Sequence, residues 1–259
     1  KTPKALAHFD YNGCHTMTIR SRFAPSTTGP AHPGTLLAAL LAWLDIRSKG
    51  GKFLVRFEDL DPQRCTEQWY FTMLSDLEWF GLDWDLTQKQ SLRIPHYEAA
   101  MDLLEREGRL YPCHCSRSQI KAHGTRAPDG GWRYPNTCRN NPIPQGGWRN
   151  AYSPLRIRLN DSLVRIPNES ETQMMQNPSE EMGDPIARRR DGAFAYNLVS
   201  VVDDGLAKIN RIVRGRDLIA SCATQWQLQT ILGYPHPSYR HHLLFMEKAR
   251  SNLLKGKLV

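Results

Sequence analysis

Features that would place a protein in a membrane or a secreted class are missing from this sequence of 259 residues. It has no stretch of about 18 apolar residues, the minimum for a membrane-spanning helix. Its longest apolar run, residues 36–44, is followed at once by Asp45. Residues 1–16 lack the apolar core of a signal peptide, and we expect them to form an N-terminal arm. The sequence therefore predicts a cytoplasmic protein with no membrane partner.

Cysteine is sparse, and three of the six cysteines, Cys113, Cys115 and Cys138, lie within 26 residues. A secreted disulfide scaffold would be smaller and richer in cysteine, so the cluster favours a metal site in a reducing compartment. A structural zinc site takes four ligands. The fourth could be His114, which lies awkwardly between two ligands, or Tyr134, whose phenolate is an unusual ligand. The alternative is three unlinked buried cysteines.

The sequence also has few acidic residues relative to basic ones, which leaves a net charge of +8 and a pI near 9.3. Lysine and arginine that displace counterions from phosphates drive binding to nucleic acids. A basic balance is typical of a polyanion binder, although many basic proteins never bind nucleic acid.

Strand-like and helix-like patterns alternate in the first part of the chain. Strands are predicted at residues 17–23 and 52–58, and helices at 34–48, 66–80 and 96–107. This order predicts an α/β fold with a parallel sheet and right-handed crossovers.

The amino-acid composition changes between Cys113 and about Gly183, where Gly, Pro, Asn and Arg dominate. We interpret this part as an insertion whose folding depends partly on a bound metal. Residues 168–181 are expected to form an exposed loop. Regular order resumes at residues 186–190, with a strand-like pattern at 195–202, a further regular segment at 209–213 and a helix at 221–232.

A loop rich in Pro, Ser and Thr follows the first strand and leads into a helix at His32-Pro-Gly34-Thr35. Helix N-termini present free N–H groups and a positive dipole end to phosphates. Gly34 would let a nucleotide approach the backbone, and His32 would donate to a phosphoryl oxygen. The alternative is an ordinary strand–turn–helix junction.

An acidic cluster, Glu58-Asp59-Leu60-Asp61, ends the second strand, where open parallel sheets place their ligands. Glu58 is the candidate ligand for an ammonium group. Asp59 and Asp61 are expected to cap the following turn or helix.

Arginines occur near the ends of later strands, where guanidinium groups can bind carboxylates through paired N–H bonds. The triple arginine at residues 188–190 predicts a solvated face or a contact with RNA phosphate.

Several of these runs together resemble a known family. RFAPSTTGPAHPG resembles the HIGH-type signature of glutamate-specific class I tRNA synthetases, and LVRFEDLDP follows at their usual distance. RRRDGAFAYNLVSVVDD and IVRGRDL are similar to the second half of the same domain. The Cys-x-Cys and Tyr-x-x-x-Cys pairing is most similar to a truncated branch that lacks the anticodon-binding domain. The resemblance covers residues 18–245.

The resemblance implies an α/β, Rossmann-type parallel sheet, the class I synthetase catalytic domain, with an inserted zinc-containing subdomain. The implied divisions are residues 1–16 for the arm, 17–112 and 186–259 for the two halves of the catalytic domain, and 113–185 for the insertion. The implied reaction is ATP-dependent activation of glutamate to glutamyl-adenylate and its transfer to the queuosine base of tRNA(Asp). The implied partners of this monomer are ATP with Mg²⁺, L-glutamate and the tRNA(Asp) anticodon stem-loop.

The resemblance also implies residue roles. It assigns ATP to His32, Gly34 and Thr35, glutamate to Arg22, Ser26, Glu58, Tyr196 and Arg214, and structural zinc to Cys113, Cys115, Tyr134 and Cys138.

The chain departs from this family at the second synthetase signature, a Lys-Leu-Ser-Lys loop. Asn252-Leu-Leu-Lys255 stands at its place, which makes Lys255 the catalytic candidate, or a displaced version begins at Lys257. A smaller departure is Pro25-Ser26-Thr27, where the family reads Pro-Ser-Pro or Pro-Ser-Ser. Two alternatives therefore stay open: the catalytic half of an ordinary glutamyl-tRNA synthetase, and a binding relative without catalysis.

Overall fold

A computed structural model describes residues 18–169 and 174–244 of the chain. The predicted N-terminal arm and Lys255 lie outside these residues. Strands are β1 (Arg20–Phe23), β2 (Lys52–Phe57), β3 (Leu86–Lys89), β4 (Leu110–Pro112), β5 (Leu155–Ile157), β6 (Val164–Ile166), β7 (Met174–Gln176), β8 (Ile186–Arg188), β9 (Arg211–Gly215) and β10 (Ser238–His242). Helices are α1 (Pro33–Arg47), α2 (Glu67–Trp79), α3 (Ile94–Arg106), α4 (Arg117–His123), α5 (Pro178–Glu181), α6 (Tyr196–Leu206) and α7 (Cys222–Leu232).

The central layer is parallel, as the alternation of patterns predicts. β2 pairs with both β1 and β3, and β9 pairs with β10, all in parallel. The N–H of Asn210 donates to the carbonyl of Arg20 at 3.2 Å, which places the β9–β10 pair beside β1. The layer therefore consists of the three-stranded sheet β3-β2-β1 with the two-stranded sheet β9-β10 beside β1, which is an α/β arrangement with parallel strands.

Helix α1 forms where its sequence predicts a helix. His32 is its N-cap and Pro33 occupies the first turn, where a missing N–H has no cost. The apolar face of α1 packs with α2 on β1 and β2 in one core cluster that includes Ala42, Phe57 and Leu77. This packing holds the N-terminus of α1 next to the end of β1.

Two small antiparallel sheets accompany the parallel layer. β5 pairs with β4 on one side and with β8 on the other, and β6 pairs with β7. A second core cluster joins β5 to α3, α6 and α7. None of the helices in the described ranges has the length and apolar character needed to cross a membrane.

Two predictions of local structure were wrong. Residues 195–202, predicted as strand-like, begin helix α6; Val199, Val201 and Val202 are residues that favour strands, and packing in the core overrides that preference. Residues 168–181, predicted as an exposed loop, contain β7 and α5, and Pro178 and Ser179 are buried.

Candidate active site and cysteine cluster

A cavity of about 460 Å³ opens at the carboxyl ends of β1 and β9. Parallel sheets place their ligands at this edge. Seven of the sequence-predicted site residues line the cavity, namely Arg22, Ser26, Gly34, Thr35, Glu58, Tyr196 and Arg214. Segments far apart in the sequence thus meet at one site.

The N-terminus of α1 forms one wall of this cavity through Gly34 and Thr35. The N–H of Gly34 donates to Nδ1 of His32 at 3.3 Å. Because Nδ1 accepts, the proton of a neutral His32 imidazole is on Nε2. His32 therefore caps the helix and keeps a donor for a second partner.

Arg22 enters the cavity from the end of β1. Its Nε donates to both carboxylate oxygens of Asp204, at 3.1 and 3.3 Å. No other side-chain hydrogen bond of Arg22 is formed within residues 18–169 and 174–244, so its two terminal amino groups remain for a ligand. Burial raises the pKa of Asp204, but Arg22 and Arg56 together bring it below its ordinary value.

A network of buried charges extends from Asp204 into the protein. Arg56 of β2 is fully buried; its Nη1 donates to Asp204 at 2.5 Å and its Nε lies 3.7 Å from Asp203. Asp203 also accepts from Nε of Arg93 at 2.6 Å and from the hydroxyl of Tyr97 at 2.9 Å. The network joins α6 to β1, β2 and the start of α3.

Glu58 follows β2 and is half-buried in the cavity wall. Burial raises the pKa of its carboxyl to about 7, although Arg56 and Arg22 act in the opposite direction. An ammonium group placed beside Glu58 would favour the ionised form and lower this pKa.

Arg214 of β9 is held on several sides. Its Nη1 donates to Oε1 of Gln225 at 2.8 Å and lies 3.5 Å from the hydroxyl of Tyr196. Its Nη2 lies 2.9 Å from Sγ of Cys222, which is 3.4 Å from Nε2 of His241. Burial, with the charge of Arg214, lowers the pKa of His241 to about 3, so this imidazole is neutral and leaves the guanidinium as the local charge.

The two aspartates after Glu58 have different partners. Asp59 accepts from the N–H and the hydroxyl of Ser91, at 2.8 and 2.6 Å, in the 3₁₀ helix Gln90–Arg93. Asp61 pairs with Arg64 at 2.7 Å in the following turn. The capping interpretation suits Asp61, whereas Asp59 caps an element further along the chain.

The three arginines at residues 188–190 have different environments. Arg189 and Arg190 are exposed, and Arg189 pairs with Asp191 at 2.6 Å. Arg188 is half-buried, donates to the carbonyl of Ala151 and lies 5.5 Å from the centre of the Trp148 ring. Only two of the three therefore belong to a solvated face.

A second constellation lies at the end of β4. The Sγ atoms of Cys113, Cys115 and Cys138 lie within 4.8 Å of one another. The hydroxyl of Tyr134 is 3.4 Å from Sγ of Cys113 and accepts from the N–H of Cys138 at 3.0 Å, whereas His114 is exposed. Burial raises the pKa of Cys115 to about 11, and it raises that of Tyr134 as well.

These distances fit a tetrahedral metal. Zn–S bonds of about 2.3 Å place tetrahedral sulfur ligands about 3.8 Å apart, and Sγ of Cys115 lies 3.6 Å from Sγ of Cys138. A bound cation would also reverse the effect of burial on the thiols and the phenol.

Sequence reasoning gave no role to the pair Asp203-Asp204 or to Arg56. The available signal was two adjacent acids at the end of the apolar run 198–202, since buried carboxylates require partners. What the sequence does not show is which cations those partners are.

Comparison with protein families agrees with this arrangement. The model of the catalytic domain of class I tRNA synthetases (E and Q) matches residues 18–259. The fold and the cavity thus define a class I tRNA synthetase catalytic domain.

Curated relatives narrow this class. Glutamyl-Q tRNA(Asp) synthetase of Thiobacillus denitrificans is 42% identical over 237 residues, which are 90% of this chain and 76% of that protein. The protein of the same name from Neisseria meningitidis is 41% identical over 224 residues, 85% of this chain and 74% of that protein. The chain belongs to the glutamyl-Q tRNA(Asp) synthetase family.

Solved structures support the fold. Glutamate-tRNA synthetase from Elizabethkingia anophelis superposes with a TM-score of 0.75 at 23% identity, covering 92% of this chain and 52% of that one. The same values hold for a glutamate tRNA ligase from Elizabethkingia meningosepticum in complex with its amino acid. The chain spans about half the length of these structures.

The buried network generates a prediction about stability. Asp204→Asn leaves Arg22 and Arg56 without their shared carboxylate, and breaking a buried pair in this way costs about 3–5 kcal/mol of unfolding free energy. Asp191→Asn, which removes the exposed partner of Arg189, is the matched control and should change stability little. Urea unfolding followed by tryptophan fluorescence measures both. Equal losses in the two variants would contradict the role given to the network.

Proposed function

We propose that this chain is an ATP-dependent ligase that activates glutamate as glutamyl-adenylate and transfers it to the queuosine base of tRNA(Asp). The observation that carries the proposal is one cavity in which two guanidinium groups, the carboxylate of Glu58 and a helix N-terminus converge. Each has a counterpart in the substrates: guanidiniums suit carboxylates, a carboxylate suits an ammonium, and a helix N-terminus suits phosphates.

In this proposal the amino acid lies between β1, β2 and β9. Arg22 and Arg214 bind its carboxylates, Glu58 binds its α-ammonium, and Ser26 and Tyr196 complete the wall. The positions of Arg22 and Arg214 are set before a ligand arrives, because Asp204 and Gln225 already hold them. Such preorganised charges need little rearrangement during the reaction.

ATP lies against the N-terminus of α1, with Gly34 and Thr35 beside it and Nε2–H of His32 directed to a phosphoryl oxygen. Mg²⁺ enters with ATP as part of that substrate. A carboxylate oxygen of glutamate attacks the α-phosphorus, and pyrophosphate leaves. Lys255, in the proposed second signature, would stabilise the charge that develops on the departing phosphates; it lies outside the described residues.

The proposal includes a structural zinc ion held by Cys113, Cys115, Cys138 and Tyr134 in an insertion spanning residues 113–185. The zinc stabilises the fold and takes no part in the reaction. Free thiols at such a site require a reducing compartment, so we place the protein in the cytoplasm, as a monomer.

Glutamate-dependent exchange of pyrophosphate into ATP without tRNA is the first test of activation. Transfer is then measured with labelled glutamate on tRNA(Asp) that carries queuosine and on the same tRNA with unmodified guanosine. Transfer only to the modified tRNA is the expected result. Charging of tRNA(Glu) instead would favour the ordinary glutamyl-tRNA synthetase, and a folded, zinc-loaded protein inactive in all these assays would be a binding relative.

The raised pKa of Glu58 predicts a pH dependence of glutamate binding. Only the ionised carboxylate binds the ammonium group, so affinity should fall below about pH 7, approaching a loss of about tenfold per pH unit. Glu58→Gln should bind glutamate at least about tenfold more weakly at pH 8 and show a flat profile between pH 6 and 8. Calorimetric titration with glutamate measures both quantities.

Glu58→Gln also has an internal folding control. The pKa of Glu58 is higher in the folded chain than its ordinary value of about 4.5, so ionisation opposes folding as pH rises through about 4.5 to 7. The variant should therefore be no less stable than the parent at pH 8. An unchanged pH profile in the stable variant would remove Glu58 from the ammonium site.

The fourth zinc ligand can be identified with two matched variants. Tyr134→Phe keeps the ring beneath Arg156, whose Cζ is 3.5 Å from the ring centre, but removes the ligand oxygen. It should lower zinc affinity and sensitise the protein to a chelator, whereas His114→Ala should do neither. Zinc content and thermal unfolding with and without chelator measure the difference, and the reverse ranking would assign the ligand to His114.

A further inference from the structure

A second cavity, of about 710 Å³, opens at the amino ends of the parallel strands, opposite the candidate active site. It is lined by the first residues of β1, β2 and β3, among them Arg20, Lys52 and Leu86, and shares no lining residue with the candidate active site. Its volume lies within the range of about 300–1,000 Å³ that is typical of small-molecule sites.

The charges around this cavity favour an anion. Three cations, Arg20, Lys52 and Arg93, line it with a single carboxylate, Asp85. Lys52 is paired with Asp85 and Arg93 with Asp203, which leaves Arg20 as the cation of the described lining without a carboxylate partner. Its full positive charge outweighs the end of α6, which contributes about half a negative charge at most. Asp85 already accepts from Lys52 at 2.7 Å and from Arg47 at 2.8 Å, so it is poorly suited to hold a metal ion.

Two of the basic groups are free for a ligand. The guanidinium of Arg20 and the imidazole of His96 are exposed and make no hydrogen bond or ion pair with any residue in the described ranges. Arg93 binds Asp203 through Nε alone, which leaves its terminal amino groups. The cavity therefore offers donors from β1, from the start of α3 and from the residue before it.

Strand β1 separates this cavity from the active site. Ser21 lies at the cavity wall, its side chain is fully buried, and its Oγ has no hydrogen-bond partner among the described residues. This oxygen has no accessible surface, so it does not contact a ligand in the cavity. Ser21 and Arg22 are neighbours on β1, yet Ser21 faces this cavity and Arg22 faces the active site.

Leu86 and Leu206 give the cavity exposed apolar surface, whereas Phe53, Leu54 and Ile209 behind them are almost fully buried. We propose that this cavity is a second ligand site, which binds a small organic anion whose phosphate or carboxylate contacts Arg20 and His96 while its apolar part packs on Leu86 and Leu206.

Inorganic phosphate and acetate, each titrated alone at constant ionic strength, are the probes. Backbone amide NMR of the isotope-labelled full chain should show saturable shifts at Ser21 and Phe53 with at least one of them. The probe that binds more tightly identifies the phosphate or the carboxylate as the recognised group. Shifts that grow without saturating for both anions would overturn the proposal.

Matched variants locate the effect. Arg20→Ala with His96→Ala removes two charge-assisted donors and should weaken binding at these amides by about tenfold or more. Arg117→Ala with His123→Ala removes the same residue types from the exposed surface of α4 and is the control. None of the four substituted residues is buried in the core, so both double variants should fold. Equal affinities in the two double variants would overturn the proposal.

Discussion

The architecture of the active site depends on two adjacent buried carboxylates near the end of α6. Consecutive helical residues project in different directions, so Asp204 reaches Arg22 of β1 while Asp203 reaches Arg93 before α3, with Arg56 between them. Each of these charges is costly to bury alone, and each is stabilised only when the others are in place. Strands β1 and β2 are thereby fixed relative to helix α6.

The cavity itself separates its charges by kind. The side proposed for the phosphates has the N-terminus of α1, where His32 serves as the cap, and among the described residues it presents donors and a dipole without a lysine or arginine. The side proposed for the amino acid has full charges on Arg22, Arg214 and Glu58. Burial raises the pKa of Glu58 to about 7, which makes it a group whose protonation state a ligand can change.

Sequence patterns predict an element when the interactions that form it lie within the same short segment of the chain. Helix α1 has its cap, its proline and its apolar face in consecutive sequence, and it was predicted within one residue at each end. The partners of Asp203 and Asp204 lie 110 and 182 residues away, so no spacing reveals them. The same applies to Asp59, which caps a helix 32 residues further on. Helix α6 was missed because its valines favour a strand, whereas its tertiary contacts with α3 and α7 stabilise a helix.

Under the proposed function, the hydrogen bonds from Nε of Arg22 to Asp204 affect which amino acid is selected. Because Asp204 fixes the guanidinium of Arg22, that group cannot move toward a shorter ligand. The distance between Arg22 and the rest of the site therefore selects the length of the amino-acid side chain. Aspartate, one methylene shorter, would leave a gap at Arg22 or at Glu58. Loss of one methylene is worth about 1–3 kcal/mol in an apolar pocket and more where a polar contact is broken. Discrimination here comes from the immobility of an arginine.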